Sequence, residues 1–144
     1  MRGRSTPEII ASVESALPLA PPALVARLAT AHVLLGVFGT TAKAARVVPN
    51  KVYQGLALGK AMVTADTPAL REFFTPGEHL LAVQPGDPDA LVDAIRCLRD
   101  DRALRLRLGA NAARYAHACF NPRAVARHLI HAGHRTLGWE DIGG

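Results

Sequence analysis

The stretch that decides the fold of this chain is residues 49–66, PNKVYQGLALGKAMVTAD. It predicts a loop, a short helix, a tight exit and a strand. Pro49 disfavours helix in the residue before it, and Asn50 is a good N-cap for the helix that follows. Gly59 stands where a helix ends in a left-handed residue. The apolar, partly β-branched run 62–64 suits a strand covered on both faces, so we predict a helix beside a buried parallel strand.

The start of this helix is a candidate anion site. A helix N-terminus that opens beside a buried parallel strand has free N–H groups and the positive end of the helix dipole. Lys51 and Gln54 are three residues apart and share one face of the first turn. A cation and an amide beside free N–H groups suit a phosphate attached to a hydroxylated sugar. A solvated lysine on a surface helix is the alternative that these residues leave open.

Short apolar runs alternate with helical patterns along the rest of the chain. The predicted strands are 32–37, 61–65 and 79–83, and the predicted helices after the first 20 residues are 22–30, the central helix, 68–74, 88–98, 103–118 and 122–137. Segment 39–46 is predicted to be a loop at the carboxyl end of the first strand, the edge at which open α/β sheets bind ligands. This alternation predicts an α/β fold: a partial Rossmann-like parallel sheet of about three strands flanked by helices, with a helical C-terminal region.

Composition limits the classes of partner. The chain has 144 residues, 49% of them hydrophobic, which is enough for one domain or part of a larger one. A net charge of +5 suits phosphorylated metabolites, nucleic acid or an acidic membrane surface. The basic residues are dispersed and only 5% of residues are aromatic, which argues against nucleic acid. We find no apolar run of membrane-spanning length and expect no signal peptide.

Cysteines and histidines do not predict a metal site. Cys97 and Cys119 form no CxxC pair and are expected to be free thiols in helices, as in a reducing cytosol. His128, His131 and His134 recur every three residues, but no Cys or acidic partner accompanies them. We therefore expect no metal and a cytoplasmic location, with a peripheral position at the inner membrane face as the alternative.

A membrane surface is the weaker candidate among the anionic partners. Arginines in the second half of the chain could form a basic surface that faces a membrane. A solvated helix face paired with nearby carboxylates is the commoner arrangement for such a pattern. The residues concerned are Arg102, Arg105, Arg107, Arg114, Arg123 and Arg127.

Four linked motifs occupy the central part of the chain: AHVLLG at 31–36, QGLALGKAMV at 54–63, LREF at 70–73 and GEHLLAVQPGDP at 77–88. Their order and spacing resemble those of the C-terminal, donor-binding domain of retaining family 4 (group 1) glycosyltransferases, which have the GT-B fold. The resemblance implies a fragment of that domain. It divides the chain into an irregular segment 1–22, with one short helix around 8–16, a Rossmann-like donor-binding part-domain 23–120, and a C-terminal helix and tail 121–144.

The resemblance also implies a donor site. In the family, a Glu-x7-Glu pair contacts the donor; its second member, which binds the ribose hydroxyls, corresponds to Gln54 and its first to Arg46. An amide can still donate to and accept from a diol, whereas an arginine would face the diphosphate. The family holds the donor phosphates near the positions of Asn50 and Lys51. The donor-binding candidates are therefore Gly39, Thr40, Arg46, Asn50, Lys51 and Gln54, and the resemblance assigns no catalytic residue.

The implied function is transfer of a sugar from a nucleotide-sugar donor to an acceptor, with no cofactor besides that donor substrate. Because GT-B enzymes use two Rossmann-like domains, the resemblance implies an acceptor domain or partner chain in addition to the nucleotide sugar. The alternative is a non-catalytic remnant or interaction module that keeps part of the GT-B fold and forms a homodimer through its open sheet edge.

Overall fold

The computed structural model describes residues 21–137. The elements in chain order are α1 (Pro21–Thr30), β1 (Val33–Leu35), α2 (Ala42–Arg46), α3 (Asn50–Ala57), β2 (Ala61–Ala65), α4 (Pro68–Phe73), β3 (Leu81–Val83), α5 (Pro88–Asp100), α6 (Arg102–Cys119) and α7 (Pro122–Leu137). The short helix predicted around 8–16 and the tail after 137 lie outside the described residues. None of the helices between residues 21 and 137 is long and apolar enough to cross a membrane.

The three strands form one parallel sheet in the order β1-β2-β3. The central strand β2 pairs with both neighbours, and all five of its residues are buried. Helices cover both faces of this strand, which is why its apolar sequence shows no alternation with polar residues. The predicted α/β class, with a partial Rossmann-like sheet and a helical C-terminal region, is confirmed.

Two apolar layers cover the sheet. On one face, α3, α4 and the second half of α6 pack through Val52, Leu56, Met62, Leu70, Phe74, Leu80, Ala112 and Ala116. On the other face, α5 and the first half of α6 pack through Ala61, Val63, Val83, Leu98 and Leu108. The rings of Tyr53, Phe74, Tyr115 and Phe120 lie edge-on or tilted against one another beside the first layer. The aromatic residues of the chain are few, yet four of them fill one region of the core.

One glycine allows α3 to lie close to the sheet, and a second allows the chain after β1 to lie close to β2. A Cβ on Gly55 would overlap the Cε of Met62 and the Cδ1 of Leu34, and a Cβ on Gly36 would overlap the side chain of Thr64. Gly59, which ends the turn after α3, has a φ of 69°, so the predicted left-handed exit is confirmed. The close approach determines where the first turn of α3 lies relative to the end of β1.

Segment 39–46 differs from the sequence prediction. The predicted loop contains the short helix α2, because the Oγ1 of Thr41 accepts a hydrogen bond from the N–H of Ala44 at 3.2 Å and caps a helical turn. The sequence signal for this helix was a threonine, Thr41, directly before an alanine-rich run.

Two predicted strands are shorter in the structure than in the sequence prediction. β1 ends at Leu35, although Gly36 still donates to the carbonyl of Val63 at 2.8 Å. β3 starts at Leu81 because His79 belongs to the preceding turn. The imidazole Nδ1 of His79 accepts a hydrogen bond from the N–H of Thr75 at 3.0 Å. Both differences lie at strand ends, where turn contacts compete with sheet pairing.

Candidate functional site

The carboxyl edge of the sheet, where the parallel strands end, contains a cleft of about 220 Å³ that we call the rim cleft. It is lined by Val37, Gly39, Thr41, Lys43, Ala44, Val47, Val48, Pro49, Thr64, Ala65, Thr67 and Leu70. Most of this lining is apolar, and its polar groups are threonine hydroxyls and one ammonium group. Such a lining, with a few polar groups in an apolar wall, is typical of small-molecule sites.

Helix α3 begins beside the rim cleft. Pro49, the residue before the helix, lines the cleft, while Asn50 and Lys51 are exposed. The Nζ of Lys51 lies 3.5 Å from the carbonyl oxygen of Gly36, the residue that follows β1. The N-terminus of α3 therefore opens at the carboxyl edge of the sheet. A bond of this length is weak, so the ammonium group can turn towards a ligand at little cost.

The first turn of α3 retains unbonded N–H groups. Val52 donates to the carbonyl of Pro49 at 2.9 Å. The N–H groups of Asn50 and Lys51 have no acceptor within residues 21–137, as expected for the first residues of a helix. The prediction that Asn50 caps the helix is wrong: Asn50 is the first helical residue, and Pro49 occupies the cap position without a side-chain bond. The side chain of Asn50 thus makes no capping hydrogen bond to α3.

The six predicted donor-binding residues occupy different parts of this edge. Gly39 lines the rim cleft, whereas Thr40 lies against Gly86 in the loop after β3. Arg46 ends α2 and is exposed, and Gln54 is exposed one turn beyond Asn50. Arg46, Asn50, Lys51 and Gln54 are not part of the cleft lining. Their donor-binding roles stay predictions.

Sequence reasoning missed the polar groups inside the rim cleft. Lys43 supplies the only cation of its lining, and Thr41 and Thr67 line it too. Thr67 is buried, and its Oγ1 accepts from the N–H of Leu70 at 3.1 Å to cap α4. The signal for Lys43 was the Thr41 cap, because a helix here changes which side chains face the sheet.

Asp66, which follows β2, is held in an ion pair at the same edge. Both oxygens of its carboxylate accept from Arg71, each at 2.6 Å. The hydrogen bond to Asp66, followed by its charge, raises the pKa of Arg71 above the usual arginine value. This pairing with a residue of α4 agrees better with a structural role for Asp66 than with a catalytic one.

Comparison with known proteins places the chain in a family. The family model described as glycosyl transferase-like matches residues 8–131. The chain belongs to this glycosyl transferase-like family. The membership confirms the resemblance read from the four motifs. No curated protein matches the chain in sequence.

A solved structure similar to this family member is sucrose-phosphate synthase from Thermosynechococcus elongatus. The two share 26% sequence identity with a TM-score of 0.54, over 62% of this chain and 23% of that chain. The chain therefore spans less than a quarter of the length of the protein it matches. Within residues 21–137, no group of three or more His, Cys, Asp or Glu side chains could hold a metal ion. The side chains of His128 and His134 lie outside the described part.

Proposed function

We propose that this chain is the donor-binding part of a glycosyltransferase that transfers a sugar from a nucleotide-sugar donor to an acceptor. One observation carries the proposal: α3 begins at the carboxyl edge of the sheet, with free N–H groups and an exposed ammonium beside the rim cleft. Family membership supports glycosyl transfer as the general chemistry. The site residues below belong to the same proposal.

In this proposal the first turn of α3 binds the donor diphosphate. The N–H groups of Asn50 and Lys51 and the helix dipole are directed at the anion, and the Lys51 ammonium leaves the Gly36 carbonyl to join them. Negative charge grows on the diphosphate as the glycosidic bond breaks, and donors already in position stabilise it without reorganisation. Lys43, in the lining of the rim cleft, is a second cation available to the donor.

The remaining candidates surround that phosphate position. Gln54 lies one turn further along α3 and offers an amide that both donates and accepts, as a ribose diol requires. Arg46 contributes a permanent charge for the diphosphate, while Gly39 and Thr40 supply the loop after β1. No cofactor or metal enters this scheme. The acceptor would be held by a further domain or a partner chain, and the protein would act in the cytoplasm, with the inner membrane face as the weaker option.

One observation favours a second candidate, an interaction module that has lost transfer activity. Strand β1 pairs only with β2, so its other edge has no strand partner among residues 21–137. Leu35, in that strand, is 45% exposed. An unpaired edge with an apolar side chain can take a strand from another copy of the chain. Arg46 and Gln54, at the family's two acidic positions, agree with loss of sugar binding.

Calorimetry distinguishes the two candidates. We expect the chain to bind nucleoside diphosphates, and we expect Gln54→Ala to lower that affinity more than the affinity for pyrophosphate, because only the nucleotide has ribose hydroxyls. Arg107→Ala, an exposed substitution on α6 away from this edge, is the matched control. Equal loss for both ligands would argue against the ribose contact. A dimer without affinity for any nucleotide or nucleotide sugar would favour the interaction module.

A further inference from the structure

The opposite, amino edge of the sheet contains a second cleft, of about 260 Å³, which we call the basic cleft. Among the residues that the structure describes, the ionisable side chains that line it are all basic, and no carboxylate lines it. It is lined by Ala31, His32, Gly59, Lys60, Ala61, Arg102, Arg105 and Leu106. His32 and Lys60 come directly before β1 and β2, and the two arginines lie in the first turn of α6. Three separate parts of the chain thus bring their cations to one place.

The cationic side chains of the basic cleft have few protein partners among the described residues. The side chains of Lys60 and Arg102 make no ion pair or hydrogen bond within residues 21–137. The Nη1 of Arg105 donates to the carbonyl oxygens of Leu98 and Arg99, which orients its guanidinium at the end of α5. The other N–H groups of Arg105 have no acceptor in the described part of the chain. The nearest helix-capping carboxylate, Asp101, is already bonded to the N–H of Leu104 at 2.8 Å.

The basic cleft brings together three permanent positive charges and, among the described residues, no carboxylate. These charges repel one another and attract an anion. The cleft's volume of about 260 Å³ leaves room for a phosphate group between these side chains. Arginine guanidinium and lysine ammonium groups are the usual protein partners of phosphate. The basic cleft lies about 15 Å from the rim cleft along β2, judging from the rise per strand residue. It is therefore a separate site.

We propose that the basic cleft binds a phosphate group, from a small phosphorylated molecule or a lipid headgroup. Lys60, Arg102 and Arg105 contact its oxygens, and His32 adds a donor from the β1 side. The site is independent of the proposed donor site, because its residues lie at the other edge of the sheet.

The test is an NMR titration of the full 144-residue chain. One arm adds inorganic phosphate or pyrophosphate, and the other adds vesicles that contain phosphatidic acid, with chloride at equal ionic strength as the reference. We expect saturable shifts of the Ala31, Gly59 and Ala61 amides in one of the two arms, and that arm identifies the source of the phosphate. Lys60→Gln and Arg102→Gln each lower the affinity about tenfold, the lower range for a hydrogen bond from a charged group to a phosphate.

Matched variants separate a specific site from general charge. Arg107→Gln removes the same charge from the same helix outside the cleft and should leave the affinity unchanged. Lys60→Arg, which keeps the positive charge, should retain the affinity that Lys60→Gln loses. The proposal is overturned if neither arm saturates, or if Arg107→Gln weakens binding as much as Lys60→Gln. Because the three amides followed in the titration line the basic cleft and not the rim cleft, failure of the donor-site proposal would leave this one intact.

Discussion

The most direct perturbation of the proposed donor site is Lys51→Ala. In the structure this side chain is exposed, and its single hydrogen bond, to Gly36, is at the 3.5 Å limit. Its loss should cost little stability, because such surface contacts contribute at most about 0.5 kcal/mol. For a protein of this size, the melting temperature should change by no more than about 2 °C.

The effect on ligand binding should be far larger. A hydrogen bond from a charged group to a phosphate contributes about 1.5–3 kcal/mol, which corresponds to an affinity loss of about 10- to 100-fold. The N–H groups of α3 remain in the variant, so weak binding should persist. Lys51→Arg, which keeps the charge, should lose much less affinity.

Calorimetry with a nucleoside diphosphate measures this loss, and thermal unfolding without ligand measures the structural cost. Arg107→Ala controls for the change in net charge. Unchanged affinity in Lys51→Ala would refute the placement of the phosphates at α3. A melting temperature lowered by many degrees would refute the structural premise that the Lys51 contact is weak.

Three further predictions concern the scaffold. Gly36→Ala should lower the free energy of unfolding by about 1–3 kcal/mol, because its Cβ would overlap the Cβ of Thr64, which the buried strand β2 holds in place; a raised melting temperature would contradict this close approach. His79→Gln should destabilise the protein by about 1–3 kcal/mol, because it leaves the N–H of Thr75 without an acceptor. His79→Asn should be less destabilised, because its Oδ1 can replace Nδ1 as the acceptor. Denaturant titrations measure both free energies of unfolding. Burial, reinforced by Cys119, raises the pKa of Tyr115. The Tyr115 hydroxyl therefore keeps its proton more tightly in the folded state than in the unfolded state, and the free energy of unfolding should fall as the pH rises above about 10. Tyr115→Phe should make that decline less steep.

Features that depend on a few neighbouring residues could be predicted from the sequence. The left-handed exit at Gly59 and the cap of α5 by Asp87, whose Oδ1 accepts from the N–H of Ala90 at 2.9 Å, need only local geometry. The burial of β2 followed from a continuous apolar run between turn signals. The order of the four motifs identified the family, because linked motifs at matching spacing carry more information than any one of them.

The composition of the candidate site depended on contacts between distant segments. Helix α2 turns each successive side chain by about 100°, so a loop interpretation of this segment could not place Lys43 in the rim cleft or leave Arg46 outside it. The boundary of α3 moved Asn50 from the cap into the helix, an error of one residue that changes the role of its side chain.

The sequence by itself determined the fold class, the buried central strand and the family, since these follow from the local pattern of apolar residues, glycines and prolines. Only the tertiary structure decided which polar groups meet. Gly55 lets α3 lie close to the sheet, where Lys51 reaches the carbonyl of Gly36 after β1, and the start of α6 joins two strand beginnings to form the basic cleft. Such meetings depend on distances across the fold, which no periodicity along the chain records.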